Sequence, residues 1–208
     1  MTKTISRLYD NYTEAQRAVT DLEAAGVPHS DISIVANNSD EWYGNDKSNN
    51  IVDRDHDGKD DRAEGARTGA GIGAGLGGAA GLLTGLGLLA IPGVGPVVAA
   101  GWLVATAVGA AAGAATGGIV GGLTEMGMSK EDADVYAEGV RRGGTLVSAR
   151  VADGQASQYE AVLDRSAVNI QDRGAAYRKA GWTTFDPAAA PYGAEDVRKE
   201  RQTYGDMR

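Results

Sequence analysis

Ile91-Pro92-Gly93-Val94-Gly95-Pro96 lies inside the longest uncharged run of the chain, and the fold depends on what its two sides become. No charged residue occurs in the 57 positions from Thr68 to Thr124, which hold 18 of the 31 glycines. Two prolines and two glycines within five residues are a strong turn signal. On one side Gly69 to Ile91 is uncharged, and on the other Val97 to Leu123. Each side exceeds the ~20 apolar residues of a membrane-spanning helix. The reading that follows is a helical hairpin over residues 68–124.

Glycine spacing sharpens that expectation. Gly69, Gly73, Gly77, Gly81 and Gly85 recur every four residues. So do Gly101, Gly109, Gly113, Gly117 and Gly121, with Ala105 filling the gap. Residues four apart share a helix face. Two smooth stripes would let helix backbones approach closely, as small-residue motifs do in membranes. In water each glycine costs ~1 kcal/mol of helix stability, so close packing or lipid has to offset them. Leu82, Leu83, Leu86, Leu88, Leu89, Val97, Val98, Leu103, Val104 and Val108 would then face lipid or another protomer. Both partners, membrane lipid and a second copy through residues 69–123, are open at this point. A flexible linker fits less well, because linkers favour Ser and polar residues.

Outward from the hairpin, the flanks read as two halves of one unit, residues 1–37 and 129–173. Thr4 to Tyr9 has strand character. Thr13 and Gln16 match a capping box, Ala15, Ala18, Val19 and Leu22 follow at helical spacing, and Gly26 and Pro28 stop the helix. Ile32 to Ala36 is a second strand. After the hairpin, Ser129 opens a helix carrying Ala133, Tyr136, Ala137 and Val140, which ends at Gly143-Gly144. Thr145 to Val151 is a strand, a helix with Tyr159, Val162 and Leu163 follows, and Val168 to Asp172 is a last strand. The expected fold class is α+β, a ferredoxin-like βαβ-βαβ unit split between strands 2 and 3 by the hairpin. Residues 38–67 form an acidic linker and residues 174–208 a tail with a short helix.

Composition removes several functions. The chain has no cysteine, which excludes disulfides, zinc–thiolate sites and thiol nucleophiles. Its two histidines, His29 and His56, leave little room for imidazole chemistry, and His29 reads as a surface residue after Pro28. A net charge of −8 argues against a nucleic-acid partner. The opening residues carry no signal or lipidation pattern, so the flanks are expected in the cytoplasm.

Three stretches resemble a known family. They are Ile5-Ser6-Arg7-Leu8-Tyr9-Asp10 through Asp21-Leu22-Glu23-Ala24-Ala25-Gly26-Val27, the Ile91–Pro96 turn, and Tyr136-Ala137-Glu138-Gly139-Val140-Arg141-Arg142-Gly143-Gly144-Thr145-Leu146-Val147. Over about residues 3–172 the chain resembles the YflT-type heat-induced and general stress proteins of bacteria. The resemblance implies a stress-response role without known catalysis, and it supplies no catalytic residues.

Two smaller patterns bear on ligands and partners. Asp53-Arg54-Asp55-His56-Asp57-Gly58-Lys59-Asp60-Asp61-Arg62-Ala63-Glu64 fits D-x-D-x-D-G-x5-E. Asp53, Asp55, Asp57, Asp61 and Glu64 would supply hard oxygen ligands to Ca²⁺, with Gly58 at the sharp turn. Asp60 stands where an aliphatic anchor is usual, and no helix is expected before Asp53. The same residues also read as a solvated acidic linker, so binding would be weak, and no other cofactor is expected. Gly73-Ala74-Gly75-Leu76-Gly77-Gly78 lacks the preceding strand a dinucleotide loop needs. In the tail, Trp182, Phe185 and Tyr192 are spaced by small residues and prolines like a docking peptide, or like a strap packed on its own domain. The expected whole is a non-enzymatic stress protein held at the cytoplasmic side of the inner membrane by its hairpin. The alternatives are a cytoplasmic oligomer with a shared hairpin core, and a Ca²⁺ or small-ligand sensor.

Overall fold

The computed structural model describes residues 2–43, 86–104 and 118–205. They form an α+β fold around one antiparallel sheet. In chain order the elements are β1 (Thr2–Tyr9), α1 (Tyr12–Ala24), β2 (Ile32–Asn37), β3 (Gly87–Ile91), β4 (Gly95–Gly101), α2 (Ile119–Glu125), α3 (Lys130–Arg141), β5 (Thr145–Ala152), α4 (Ala156–Leu163), α5 (Ile170–Lys179) and α6 (Ala194–Tyr204). Short 3₁₀ turns precede β2 and α4. The strand order is β1-β5-β2-β4-β3.

Alternation along the strands divides the core into two layers. On one face Ile5, Tyr9, Ile32, Ile34, Val147 and Ala149 meet α1 and α4 through Ala15, Val19, Leu22 and Leu163. On the other, Leu8, Val35, Val97, Ala99 and Leu146 meet α2 and α3 through Leu123, Ala133, Tyr136 and Val140. β2 is buried along its whole length because helices cover both its faces. Polar groups on this sheet are paired. Ser6 lies opposite Ser148 in the register, and their buried hydroxyls meet at 2.8 Å. Ser33 Oγ donates to the Ala100 carbonyl at 2.9 Å.

The α1 and α3 starts illustrate local control. Asn11, not Thr13, is the N-cap of α1, its side chain accepting from the Glu14 N–H at 2.9 Å. Asn and Ser both serve this role well, and here the cap falls two residues earlier because Tyr12 is already helical. Ser129 caps α3 as expected, accepting from Asp132 N–H at 3.1 Å.

Two expectations are corrected. The Ile91–Pro96 turn joins two strands rather than two helices. Pro92 and Gly93 are its central residues, Gly93 has φ +73°, and Val94 N–H returns to the Ile91 carbonyl at 3.0 Å. Pro followed by a positive-φ Gly is the type II signature. Val97 and Val98, with β-branched side chains that suit a pleated surface, then pair with both β2 and β3. Gly101, a member of the second glycine stripe, ends β4 at φ +91°. A Cβ there would stand 2.3 Å from the Ile32 carbonyl oxygen. This glycine therefore serves strand-to-strand approach and not a helix stripe. Gly121 does lie on a helix, α2. The remaining stripe glycines, Gly69 to Gly85 and Gly109 to Gly117, lie outside the described residues. Val97, Val98 and Leu103, expected to face lipid or another protomer, are fully buried within this fold.

The second correction concerns Val168–Asp172. α5 begins at Ile170, capped by Asn169, whose side chain accepts from Gln171 and Asp172 N–H. Only Val168 contacts the sheet edge as a strand would, donating its N–H to the Leu8 carbonyl at 2.8 Å. Asn at the N-cap satisfies two otherwise orphaned N–H groups, which a strand of that length would not. The sheet's fifth and fourth places go instead to β3 and β4, so the four-stranded ferredoxin-like plan is not what the described residues form. No helix among the described residues is long and apolar enough to cross a membrane.

Candidate functional site: a charged clasp and an uncharged edge

The sequence Tyr136–Gly144 folds into the place where most of the chain meets. Gly139 sits in mid-helix, where glycine costs stability, yet a Cβ there would lie 2.4 Å from Leu8 Cδ2. The missing side chain lets α3 settle onto β1. Gly143 ends the helix at φ +105°, and a Cβ there would strike Val197 Cγ1 at 2.4 Å. That second gap seats α6.

Around these glycines is a dense ionic cluster. Glu138 is wholly buried and accepts from Arg141 Nη2 at 2.9 Å and Arg142 Nε at 2.6 Å. Arg142 Nη1 also reaches Glu200 of α6 at 3.0 Å, and its guanidinium stacks 4.2 Å from the Tyr177 ring centroid. Arg173 bonds Asp10 at 2.9 Å and the Tyr204 carbonyl at 3.0 Å. Arg201 bonds Asp40 at 3.0 Å and the Gly143 carbonyl at 3.2 Å. Four arginines thus face Glu138, Glu200, Asp10 and Asp40, a balanced set. The cavity among them measures about 10 Å³, room for a single water.

The electrostatics follow from burial and pairing. Burial opposes the charge of Arg142, but the bond to Glu138 and the charges of Glu138 and Glu200 outweigh it and raise its pKa. Burial pushes the Tyr177 hydroxyl up to about 12, partly offset by Arg173 and Arg142. Tyr136, whose hydroxyl donates to the Ser6 carbonyl at 2.8 Å, is also pushed up to about 12 by burial. Such groups stay protonated and positional at neutral pH. The arrangement binds parts of the chain to each other.

The tail is the strap that this clasp holds. Phe185 is buried against the second layer with Ile91 and Val94, and Trp182 packs beside it. Tyr192 lies under the guanidinium groups of Arg141 and Arg142, 5.1 and 5.5 Å from its ring centroid. Gly93 and Gly95, besides making the turn, leave room for Pro187 and Pro191, each of which would lie 2.6 Å from an added Cβ. Of the two readings open for Trp182, Phe185 and Tyr192, a docking peptide or a strap packed on its own domain, their contacts in the structure are those of the strap.

At the other end of the sheet, β3 is the edge strand. Leu88 is 55 % exposed and Ala90 is exposed on the same face. Near its start, Tyr43 Oη donates to the Leu86 carbonyl at 3.1 Å. Tyr43 in turn stacks edge-on to Trp42, which lies 4.6 Å from Tyr12. The sequence Gly87-Leu88-Leu89-Ala90-Ile91 is apolar throughout and carries no two-residue alternation, and the glycine periodicity around it pointed to helix; the alternation of exposed and covered positions arises only in the fold.

The Ca²⁺ pattern Asp53, Asp55, Asp57, Asp61 and Glu64 lies outside the described residues. Among the described residues no cluster of three or more potential metal ligands occurs.

Comparison with known families gives one match. A model of the heat induced stress protein YflT domain matches residues 4–85, which hold the first of the three stretches that resemble that family, while the Ile91–Pro96 turn and Tyr136–Val147 lie beyond the match. The match supports a role in the general stress response. It ends before β3, whereas β1 and β2 are joined through β5, so the matched residues do not complete the sheet without the rest of the chain. No curated protein and no solved structure matches the chain.

Proposed function

We propose that the chain is a non-enzymatic general stress response protein that acts by self-association, with the α+β head as the folded mount. The match of residues 4–85 to the YflT domain model supports the stress role. One observation carries the self-association. The middle of the uncharged stretch belongs to the head, yet it leaves an uncharged strand with Leu88 at solvent on a chain of net charge −8. An unpaired, uncharged strand edge of this kind is a ready template for pairing with another chain. The non-enzymatic reading is supported by the clasp, whose arginines and carboxylates are spent on one another and on the tail. Light scattering of the full chain across a hundredfold concentration range tests self-association. A growing mean mass is expected, and a monomer throughout would sink the reading.

Membrane association is a second reading, favoured by one remaining feature. Residues 68–86 are still uncharged and roughly as long as a spanning helix. The second arm is reduced, because Val97–Val104 and Ile119–Leu123 pack in the head and only residues 105–117 lie between, short of a span. A single apolar segment at the cytoplasmic face of the inner membrane is the form this reading takes. Flotation with phosphatidylcholine vesicles separates it from a cytoplasmic oligomer. For the acidic segment the proposal is weak Ca²⁺ binding through Asp53, Asp55, Asp57, Asp61 and Glu64, read by calorimetry.

A further inference from the structure

The outer edge of β3 has a composition that selects its own partner. An exposed strand edge presents unpaired N–H and C=O groups, and proteins blunt such edges with charge, proline or a bulge. Gly87-Leu88-Leu89-Ala90-Ile91 has none of these, and its paired side runs in unbroken register with β4 from Gly87↔Ala99 to Ile91↔Gly95. Among the described residues no strand lies on its other side. Two copies of a chain with net charge −8 repel each other over most of their surface. β3 and its sequence neighbours bring no charge of their own to that edge, since Thr68 to Thr124 are all uncharged.

We propose that β3 pairs antiparallel with β3 of a second copy about a two-fold axis at Leu89, joining two five-stranded sheets into one of ten. The inference rests on the self-association reading and names its surface. A two-fold interface must be complementary to itself, and this register meets that condition. Leu88 faces Ala90 of the second copy and Ala90 faces its Leu88, so a large side chain packs on a small one at both places. These positions are the two exposed ones of the strand. Leu89 meets its own equivalent across the axis. Directly opposed residues in an antiparallel pair bring Cβ atoms to about 4.5–5.5 Å. A five-residue edge pair buries less than the ~1,200 Å² of a stable interface, so the dimer is weak and dissociates on dilution.

The absence of cysteine makes the test direct. Leu89→Cys in the full chain is expected to give a disulfide-linked dimer under mild oxidation. Lys3→Cys, exposed on the opposite edge strand, is expected to remain monomeric. Leu88→Lys added to Leu89→Cys should abolish the crosslink, and alone it should raise the dissociation concentration at least tenfold, with the circular dichroism unchanged. Should Leu89→Cys misfold, a mixture of Leu88→Cys and Ala90→Cys chains tests the same register at exposed positions through their mixed disulfide. Equal crosslinking of Lys3→Cys, or larger particles in light scattering that ignore Leu88→Lys, would overturn the edge pairing and leave self-association standing. A wild-type monomer at every concentration, with no crosslink, would overturn both.

Discussion

Glu138→Gln isolates the centre of the clasp. Its carboxylate is fully buried and shared by Arg141 and Arg142. Removing one partner of a buried ion pair leaves an uncompensated charge and costs about 3–5 kcal/mol. Arg142 keeps Glu200 at 3.0 Å and its contact with Tyr177, whereas Arg141 keeps only the Tyr192 ring 5.1 Å away. The expected loss is therefore at the low end, about 3 kcal/mol. Urea unfolding followed by circular dichroism and tryptophan fluorescence measures it, because Trp182 lies 6.1 Å from Tyr177. The loss should persist in high salt, since buried pairs are screened little. A double variant, Glu138→Leu with Arg142→Met, should recover part of it, as apolar replacement of a whole buried pair often does. A loss under about 1 kcal/mol for Glu138→Gln would refute the assignment, since exposed pairs contribute that little.

The other predictions concern the strap, the pH range and the acidic segment. Gly143→Ala should cost about 1–3 kcal/mol through its positive φ. The Cβ clash with Val197 should also loosen α6, seen as faster proteolysis after Lys179. Tyr177 and Tyr136 have folded pKa values near 12, above their ordinary 10. Their contribution is thus complete below pH 10 and lost as pH rises to about 12. Urea titrations should show stability falling across that window, less steeply in Tyr177→Phe. Calorimetry at millimolar Ca²⁺ should give heat with wild type and little with Glu64→Gln; equal heats would leave residues 53–64 an ordinary acidic linker.

Much of the head is legible in the sequence because its signals are local. The β1–α1–β2 run, the Ser129 cap and the strand at Thr145 need only periodicity and punctuation, and the structure keeps them. The Ile91–Pro96 turn was legible as a turn but not as a strand turn. Gly at four-residue spacing is a helix signal only when helices surround it, and Gly101 is held by contact with Ile32 and Ser33, far away in sequence. Val168–Asp172 misled for a similar reason, since Asn169 as an N-cap outweighs the β character of Val168 and Ile170. The clasp was invisible because its members, from Asp10 to Tyr204, are assembled only by the fold. Its traces were Gly143, already accounted for as a helix stop, and Gly139, a mid-helix glycine to which the sequence reading gave no role.

The bond between Tyr43 and the Leu86 carbonyl has a consequence for how the edge strand is held. It fixes the departure and return of everything between those residues at one point on the head. Closing a chain between fixed ends costs only about 0.6 kcal/mol more for each doubling of its length. By that arithmetic the bond itself, and not the length of chain between its ends, sets how firmly the start of the edge strand is held.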